Sequence, residues 1–266
     1  MVQSEKDKET LKNMVYSYSS VSSFDTCPLS FKLMYLDKIK RESNIFGELG
    51  NATHSTFEAY FRDEAEIFEL KDLFLENCKK QVKTPAPSSL LKYNYEENNI
   101  NLIAEYFSHT ELDKSKYEVL CLEDKIECEV SGIKIVVKPD LIVRRIEDGK
   151  IILFDYKTSK YSKDSHAGYA YQCSLYKHIF EMVKGIRVDE MWIIYVKEKT
   201  KKRGQEPKDG KMVELVYDEK VMDRFLYDVS SILAEREWKA NLDQFFCNSL
   251  CSVRNRCPQK EYTFGL

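Results

Sequence analysis

The stretch FDYKTSK, residues 154–160, ends an apolar run with a carboxylate and an ammonium group on one face. The three residues before it are isoleucine, isoleucine and leucine, which is typical of a buried β-strand. Asp155 and Lys157 stand two positions apart, so in an extended strand their side chains project to the same side. An ion pair where the strand emerges into solvent would account for them without any chemistry. A catalytic site is the alternative, and the rest of the sequence decides between the two.

A second carboxylate lies in the preceding β-rich run, where Asp140 belongs to the stretch KPDLIV. Its distance along the chain would let adjacent antiparallel strands bring it close to Asp155. Two carboxylates at close range raise each other's pKa unless a cation lies between them. Mg²⁺ or Mn²⁺ suits such oxygen ligands. Lys157 could then position a water molecule or stabilise charge on a phosphate oxygen. This is the chemistry of phosphodiester hydrolysis.

The elements that must position these residues predict an α/β fold. Three β-rich runs joined by short turn sequences favour an antiparallel meander, and a helix and a further strand follow them. Helices are also predicted before and after this core, whereas the polar residues 1–15 carry no signal of an ordered element. The β-rich runs span 117–130, 133–146 and 150–158, and the other predicted elements span 22–36, 50–65, 97–108, 166–183, 188–199 and 219–240.

These motifs resemble those of the PD-(D/E)XK nuclease superfamily. KPD at 138–140 and DYK at 155–157 match its signature on two core strands. Gln172 and Tyr176 match the Q-x3-Y motif of its RecB-like branch, and His54 matches the G-x3-H motif of the same branch. The resemblance implies a restriction-endonuclease-like mixed β-sheet core flanked by helices. Without it, His54 reads as a structural histidine, and Gln172 and Tyr176 read as part of a half-buried helix face.

The resemblance also implies a role for each matched residue. The ligands of Mg²⁺ or Mn²⁺ would be His54, Asp140, Asp155 and the carbonyl oxygen of Tyr156. Lys157 would orient the nucleophilic water, while Gln172 and Tyr176 would face the cleft and hold the substrate strand. Glu123, in the first β-rich run, is a further candidate acid at the site.

The cysteines predict a second metal site. No export signal precedes the chain's eight cysteines, so we expect a reducing compartment, in which clustered thiols indicate metal binding. Cys247, Cys251 and Cys257 have the spacing C-x3-C-x5-C, and Cys27 is the candidate fourth ligand. Spacing alone favours structural zinc.

The stretch SSFDTCP at 22–28 followed by a late cysteine triplet resembles the iron–sulfur members of the family. These are the AddB-type nuclease domain and the CRISPR-associated RecB-like exonucleases. The resemblance implies a 4Fe–4S cluster that joins the N- and C-terminal segments. Zinc stays the alternative, because three residues rather than two separate Cys247 and Cys251.

The resulting prediction is a single nuclease domain over residues 1–266. It comprises an N-terminal helical part at 15–115, a nuclease core at 116–217, and a C-terminal helix and cysteine segment at 218–266. The predicted function is a metal-dependent DNA exonuclease that acts on single strands or DNA ends in recombination, repair or replication. The alternatives are an endonuclease of the same superfamily and a non-catalytic DNA-binding adaptor subunit.

Bulk properties set the expected location and partners. The net charge of −3 argues against a protein that coats nucleic acid by charge alone. The sequence contains neither a membrane-spanning apolar run nor a signal peptide, so we expect a cytoplasmic protein. DNA is the expected partner, and a helicase or recombination protein is a further candidate, because no G-x4-G-K-[ST] motif occurs in the chain.

A basic stretch near residue 200 allows two interpretations. A solvated hairpin end is one of them, and contact with phosphate groups is the other. The basic residues are Lys197, Lys199, Lys201, Lys202 and Arg203.

Overall fold

The computed structural model describes residues 2–91, 93–110, 112–200 and 208–262. Contacts divide the chain into two compact units. The first unit comprises Met1–Asn44, Ile126–Val137 and Glu219–Leu266, and the second comprises Ile45–Lys125 and Lys138–Asp218. Lys201, Lys202 and Arg203 of the basic stretch lie outside the described residues. In the described ranges, none of the helices combines the length and the apolar character that crossing a membrane requires.

The helices and strands are numbered here in chain order. The helices of the described residues are α1 (Glu5–Asn13), α2 (Tyr18–Thr26), α3 (Pro28–Phe31), α4 (Ile45–Phe61), α5 (Leu70–Gln81), α6 (Ser88–Leu91), α7 (Tyr95–His109), α8 (Lys163–Lys184) and α9 (Val221–Ala234). The strands are β1 (Val15–Tyr16), β2 (Tyr117–Leu122), β3 (Ile126–Val130), β4 (Ile133–Val137), β5 (Leu141–Arg145), β6 (Ile151–Lys157), β7 (Glu190–Thr200) and β8 (Lys208–Glu214).

The first unit contains a three-stranded sheet in the order β1-β4-β3, in which β1 and β4 are parallel and β3 and β4 form a hairpin. The polar N-terminus is ordered, contrary to the sequence prediction. Ser4 and Asp7 form a capping box at the start of α1, and Trp238 Nε1 donates a hydrogen bond of 3.2 Å to Asp7 Oδ2. The capping box satisfies free N–H groups of the first turn, and Trp238 holds the helix from a distant part of the chain, so α1 forms although its composition gave no signal.

The second unit contains a five-stranded mixed sheet in the order β2-β5-β6-β7-β8. Neighbouring strands are antiparallel except β6 and β7, which are parallel and connected through α8, as a parallel pair requires. Residues of α4, α5 and α7 form one apolar core with residues of the sheet. The core includes Phe57 of α4, Phe74 of α5, Phe107 of α7 and Phe154 of β6, all nearly inaccessible to solvent. This core fixes α4 and β6, which carry candidate site residues.

The expected three-strand meander is replaced by shorter strands. The first β-rich run forms β2 and β3, and the second forms β4 and β5, so that the β3–β4 hairpin lies in the sheet of the first unit. Asp140 therefore lies in a bend before β5 rather than within a strand. Two local features explain the interruptions. Pro139 has no N–H group for a strand ladder, and Glu123, just after β2, has a left-handed backbone with φ of 55°.

Candidate active site and cysteine site

A histidine and two carboxylates meet in the second unit. His54 lies within α4, and its Nδ1 is 3.0 Å from Glu123 Oε1 and 3.6 Å from Asp140 Oδ1. The ligand atoms of these three side chains lie within 4.8 Å of one another. No other group of three or more His, Cys, Asp and Glu residues meets that limit in the described part of the chain. One imidazole and two carboxylates therefore form a site of the size and type that a divalent cation occupies.

Asp140 and Asp155 are held differently, although both are buried. Asp140 Oδ2 accepts a hydrogen bond of 2.9 Å from the backbone N–H of Tyr156. Asp155 is 0% exposed, and neither of its carboxylate oxygens accepts a hydrogen bond from a described residue. Lys157 Nζ lies 2.5 Å from Asp155 Oδ2 as an ion pair. Because buried carboxylates are normally hydrogen-bonded, the Asp155 carboxylate, with Oδ1 left without a hydrogen bond from any described residue, suits a further cation.

The pKa values show how strongly these groups interact. Burial and the neighbouring Asp155 raise the pKa of Asp140 to about 7. Burial opposes the charged imidazole, but Asp140 and Glu123 outweigh burial and raise the pKa of His54 to about 9. Burial likewise opposes the ammonium charge of Lys157, yet Asp155 and Asp140 raise its pKa above the ordinary value. The carboxylates therefore stabilise the positively charged forms of His54 and Lys157, as expected of a site that binds a cation.

Glu123 reaches the site from a residue with a left-handed backbone conformation, just after β2. Its Oε2 lies 2.5 Å from Lys138 Nζ, and its Oε1 faces His54. Burial would raise the pKa of Glu123, but hydrogen bonds from His54 and Lys138 lower it below its ordinary value. Glu123 therefore stays charged at neutral pH. The sequence predicts Glu123 only as a further candidate acid, because no sequence signal shows that the chain turns at this residue.

Lys157 begins a series of hydrogen-bonded side chains that extends to α8. Lys157 Nζ donates a hydrogen bond of 3.2 Å to Gln172 Oε1, and Gln172 Nε2 donates one of 2.6 Å to Tyr176 Oη. The ammonium group also lies 4.6 Å from the ring centroid of Tyr169. Gln172 and Tyr176 thus contact the lysine side of the site, whereas a substrate-holding role for them stays a prediction.

Tyr156 lies between these groups in sequence but faces the core. Its ring stacks on Phe57 with centroids 3.6 Å apart, and burial raises the pKa of its hydroxyl well above the ordinary value. The neighbouring residues Asp155 and Lys157 project to the opposite side of β6, as strand alternation requires. The use of the Tyr156 carbonyl oxygen as a metal ligand stays a prediction.

The residues present fit a divalent cation. His54, Glu123 and Asp140 would hold it, and Asp155 lies close enough to influence the pKa of both His54 and Asp140. When bound, such a cation acts as a Lewis acid toward a phosphate oxygen. Lys157 is held protonated, so it can donate hydrogen bonds but cannot accept a proton from water. Its chemistry is therefore to stabilise negative charge on a phosphate oxygen or to hold the oxygen atom of a water molecule.

The four cysteines of the predicted metal site come together in the first unit. All are free thiols, and they line one cavity. Burial and the other three thiols raise the pKa of one of them, Cys247, to about 11. Because all four line the same cavity, their sulfur atoms are neighbours. They are Cys27, Cys247, Cys251 and Cys257.

Backbone features orient these cysteines. The helix predicted over residues 22–36 breaks at Cys27, which precedes Pro28 and has an extended backbone with φ of −161°, since a residue before proline disfavours the helical conformation. Cys27 Sγ accepts hydrogen bonds from the N–H groups of Ser30 at 3.4 Å and Asn241 at 3.3 Å. These N–H donors would stabilise a thiolate at this position.

The wide spacing between Cys247 and Cys251 has a structural explanation. Residues Phe246–Leu250 form a π-helical turn, in which the N–H of Cys251 donates a hydrogen bond of 2.8 Å to Phe246 O. A π-turn accommodates one more residue than an α-helical turn and is frequent at functional sites. The extra residue is thus absorbed in the turn while both sulfur atoms reach the same cavity.

Comparison with known protein families identifies the family of this chain. The family model described as the PD-(D/E)XK nuclease superfamily matches residues 15–258, which is most of the chain. The chain belongs to the PD-(D/E)XK nuclease superfamily. Membership implies a metal-dependent nuclease with DNA as its substrate. The His54–Glu123–Asp140 group of this superfamily member is a possible site for the divalent metal.

Solved structures and curated proteins were also compared with this chain. Among solved structures, this PD-(D/E)XK chain is similar to the one described as "Crystal structure of SSO0001", with 16% sequence identity and a TM-score of 0.33. The match covers 95% of this chain and 96% of that chain. Among curated proteins, no significant match to the chain was found.

Proposed function

We propose that the chain is a metal-dependent DNA exonuclease of the RecB-like iron–sulfur type, acting on single strands or on DNA ends. The observation that carries this proposal is the buried Asp155 carboxylate, whose Oδ1 has no hydrogen-bond partner among the described residues, next to the His54, Glu123 and Asp140 side chains. An inactive adaptor would have no physical reason to keep an incompletely paired carboxylate in a buried site, because such burial costs stability. The match of His54, Gln172 and Tyr176 to RecB-like motifs supports the choice of branch.

We further propose that the four cysteines hold a 4Fe–4S cluster rather than zinc. Tetrahedral zinc with Zn–S bonds of about 2.3 Å would place its sulfur ligands about 3.8 Å apart. The four cysteines line one cavity, so they could hold either group. The likeness of SSFDTCP and the late cysteine triplet to the iron–sulfur members of the family supports the cluster. The cluster would be structural, because it closes a loop of more than two hundred residues between Cys27 and Cys247.

The catalytic proposal is tested with DNA labelled at the 5′ or the 3′ end, single- or double-stranded, in the presence of Mn²⁺ or Mg²⁺. We expect cleavage from an end, abolished by Asp155→Ala and by Lys157→Ala. Lys116→Ala and Glu118→Gln, exposed charge changes in the same unit, are the matched controls and leave cleavage unchanged. The label that is released first gives the polarity.

A circular single strand distinguishes the alternatives. An exonuclease leaves the circle intact, whereas an endonuclease linearises it, which would overturn the proposed mode of cleavage. Binding of DNA without cleavage under any divalent metal would instead support the adaptor. Roles in recombination, repair or replication, a helicase or recombination-protein partner and a cytoplasmic location stay predictions.

A further inference from the structure

Lys197 is a buried lysine in the second unit that the proposed catalytic site does not use. It lies on β7 and is 9% exposed. Its Nζ donates a hydrogen bond of 2.8 Å to Asn99 Oδ1 and lies 5.9 Å from the ring centroid of Tyr95. In the described part of the chain, no carboxylate forms an ion pair with it. Because buried charges are normally paired, an anion from outside the chain would complete this site.

A second ammonium group makes the region more positive. Burial and the charge of Lys160 lower the pKa of Lys197 to about 8, against a smaller opposite effect of Glu198. Glu198 Oε1 already accepts a hydrogen bond of 2.8 Å from the N–H of Tyr161. Two neighbouring ammonium groups repel each other, and an anion placed between them removes that repulsion.

An open cavity lies beside these lysines. It measures about 600 Å³, and its lining includes Lys160, Tyr93, Asn98 and Asn101. Tyr93 is 60% exposed, so its ring offers a surface for stacking. Side-chain amides both donate and accept hydrogen bonds and can therefore contact the edge of any base.

The acidic residue of the cavity is already engaged. Glu105 also lines the cavity, and its Oε1 lies 3.5 Å from Nδ1 of His109, one helical turn further along α7. The cavity therefore has a positive end at Lys160, a wall of amides and tyrosine, and one carboxylate at Glu105.

The cavity lies at the same end of the sheet as the proposed catalytic lysine. Lys160 follows Lys157 by three residues. Lys157 is paired in register with Tyr195 on the parallel strand β7, and Lys197 stands two residues beyond Tyr195, where the pairing of β7 with β8 is irregular. Lys157 projects toward α8, whereas most of the cavity is lined by α7 on the other face of the sheet. A strand of nucleic acid that reaches both would therefore pass over the end of β6 at Lys160.

We propose that this cavity is a subsite for a nucleotide that flanks the scissile phosphate of a single-stranded substrate. Its phosphate group lies against Lys160, with the charge of Lys197 behind the cavity-lining Asn99. Its base stacks on Tyr93, and the amide of Asn101 contacts the base edge. The proposal rests on the proposed nuclease function. Because stacking and amide contacts suit every base, the subsite binds without strong sequence preference.

The test is equilibrium binding of a fluorescein-labelled oligothymidylate to metal-free protein, followed by anisotropy across a series of salt concentrations. We expect Lys160→Ala to weaken binding and to reduce the slope of log affinity against log salt by about 0.7, the contribution of one phosphate contact on a single strand. Tyr93→Ala should weaken binding by about tenfold, as loss of one stacking partner does, with the slope unchanged. Both side chains are exposed, so neither change disturbs the core.

The control is Lys116→Ala, which removes one exposed positive charge from the same unit. If this control and Lys160→Ala reduce the slope equally, Lys160 contributes only to the general charge and the subsite is wrong. Unchanged binding by Tyr93→Ala would likewise overturn the stacking role. Cleavage of end-labelled DNA is measured separately. Expected binding changes without any cleavage would refute the nuclease and keep the subsite, whereas cleavage with unchanged binding would do the reverse.

Discussion

Asp155 Oδ2 and Lys157 Nζ lie 2.5 Å apart on β6, in a place where the carboxylate is fully buried and the lysine side chain is 15% exposed. This burial excludes the simplest interpretation of the two residues, an ion pair where the strand emerges into solvent. A buried ion pair adds little net stability, because removing both charges from water costs about as much as their attraction returns. The pair is therefore better explained by chemistry at the site than by the stability of the sheet.

Removing the charge of only one member of this pair should destabilise the protein. Lys157→Met leaves the Asp155 carboxylate buried without its ammonium partner, so we expect the free energy of unfolding to fall by about 3–5 kcal/mol in urea denaturation. The double variant Asp155→Asn/Lys157→Met carries neither charge and should recover most of this loss. Equal stabilities of Lys157→Met and the unsubstituted protein would show that the two charges are not coupled.

Binding of the divalent cation should depend on Glu123, which the sequence predicts only as a further candidate acid. Mn²⁺ that binds the folded state alone raises the unfolding temperature by mass action. We expect Glu123→Gln to remove most of that rise, because a neutral amide replaces one of the two carboxylates within 4.8 Å of His54 and Asp140. The measurement is thermal unfolding with and without Mn²⁺.

Glu118→Gln is the matched control for this prediction, because Glu118 is an exposed glutamate on β2 that pairs with Arg144. It should keep the full rise in unfolding temperature. If Glu123→Gln keeps the rise as well and Asp155→Asn loses it, the ligands are those implied by the family resemblance, and Glu123 serves only to hold His54.

The parts of this site that the sequence predicted are those set by local periodicity. The two-residue repeat of a strand places Asp155 and Lys157 on one face, and the four-residue repeat of a helix places Gln172 beside Tyr176. Both relations hold in the structure. The motif matches indicate which of these local pairs carry chemistry, and that assignment stays a prediction, although the family match over residues 15–258 includes all four residues.

The parts that the sequence did not predict depend on irregular backbone and on long-range contacts. Glu123 reaches His54 because the chain turns through a left-handed conformation after β2, which no propensity favours for glutamate. The split of the second β-rich run at Pro139 likewise depends on which sheet each half joins. The ordered N-terminal helix depends on Trp238, more than two hundred residues away.

The cysteine site should be visible in the isolated protein. After anaerobic purification, we expect a brown protein with about four iron atoms per chain. Cys251→Ser should remove the colour and lower the stability, because the cavity then lacks one ligand. Cys128→Ser is the control, since Cys128 lies on β3 and does not line the cavity. A colourless protein with one zinc ion per chain would overturn the cluster.

Lys197 should make the stability of the protein depend on alkaline pH. Its pKa in the folded state is lowered from an ordinary value of 10.5 to about 8, so the unfolded chain binds the proton more tightly. The cost of burying the charge is fully present below pH 8 and disappears as the pH rises toward 10.5. We therefore expect Lys197→Met to raise the free energy of unfolding at pH 7 by about 2–3 kcal/mol, with a gain that shrinks between pH 8 and 10.

The same substitution separates a structural lysine from a ligand-binding one. Lys197 is surrounded by Asn99, Tyr95, Lys160 and Glu198, and if the bond to Asn99 were its purpose, its removal would destabilise the fold at every pH. If it is kept for an anion, Lys197→Met stabilises the protein at pH 7 and weakens the binding of an oligonucleotide at the same pH. Urea unfolding and anisotropy on the same preparation measure both effects. Binding sites commonly retain residues that lower the stability of the fold. If Lys197→Met instead lowers the stability and leaves binding unchanged, the anion-binding role of Lys197 is wrong.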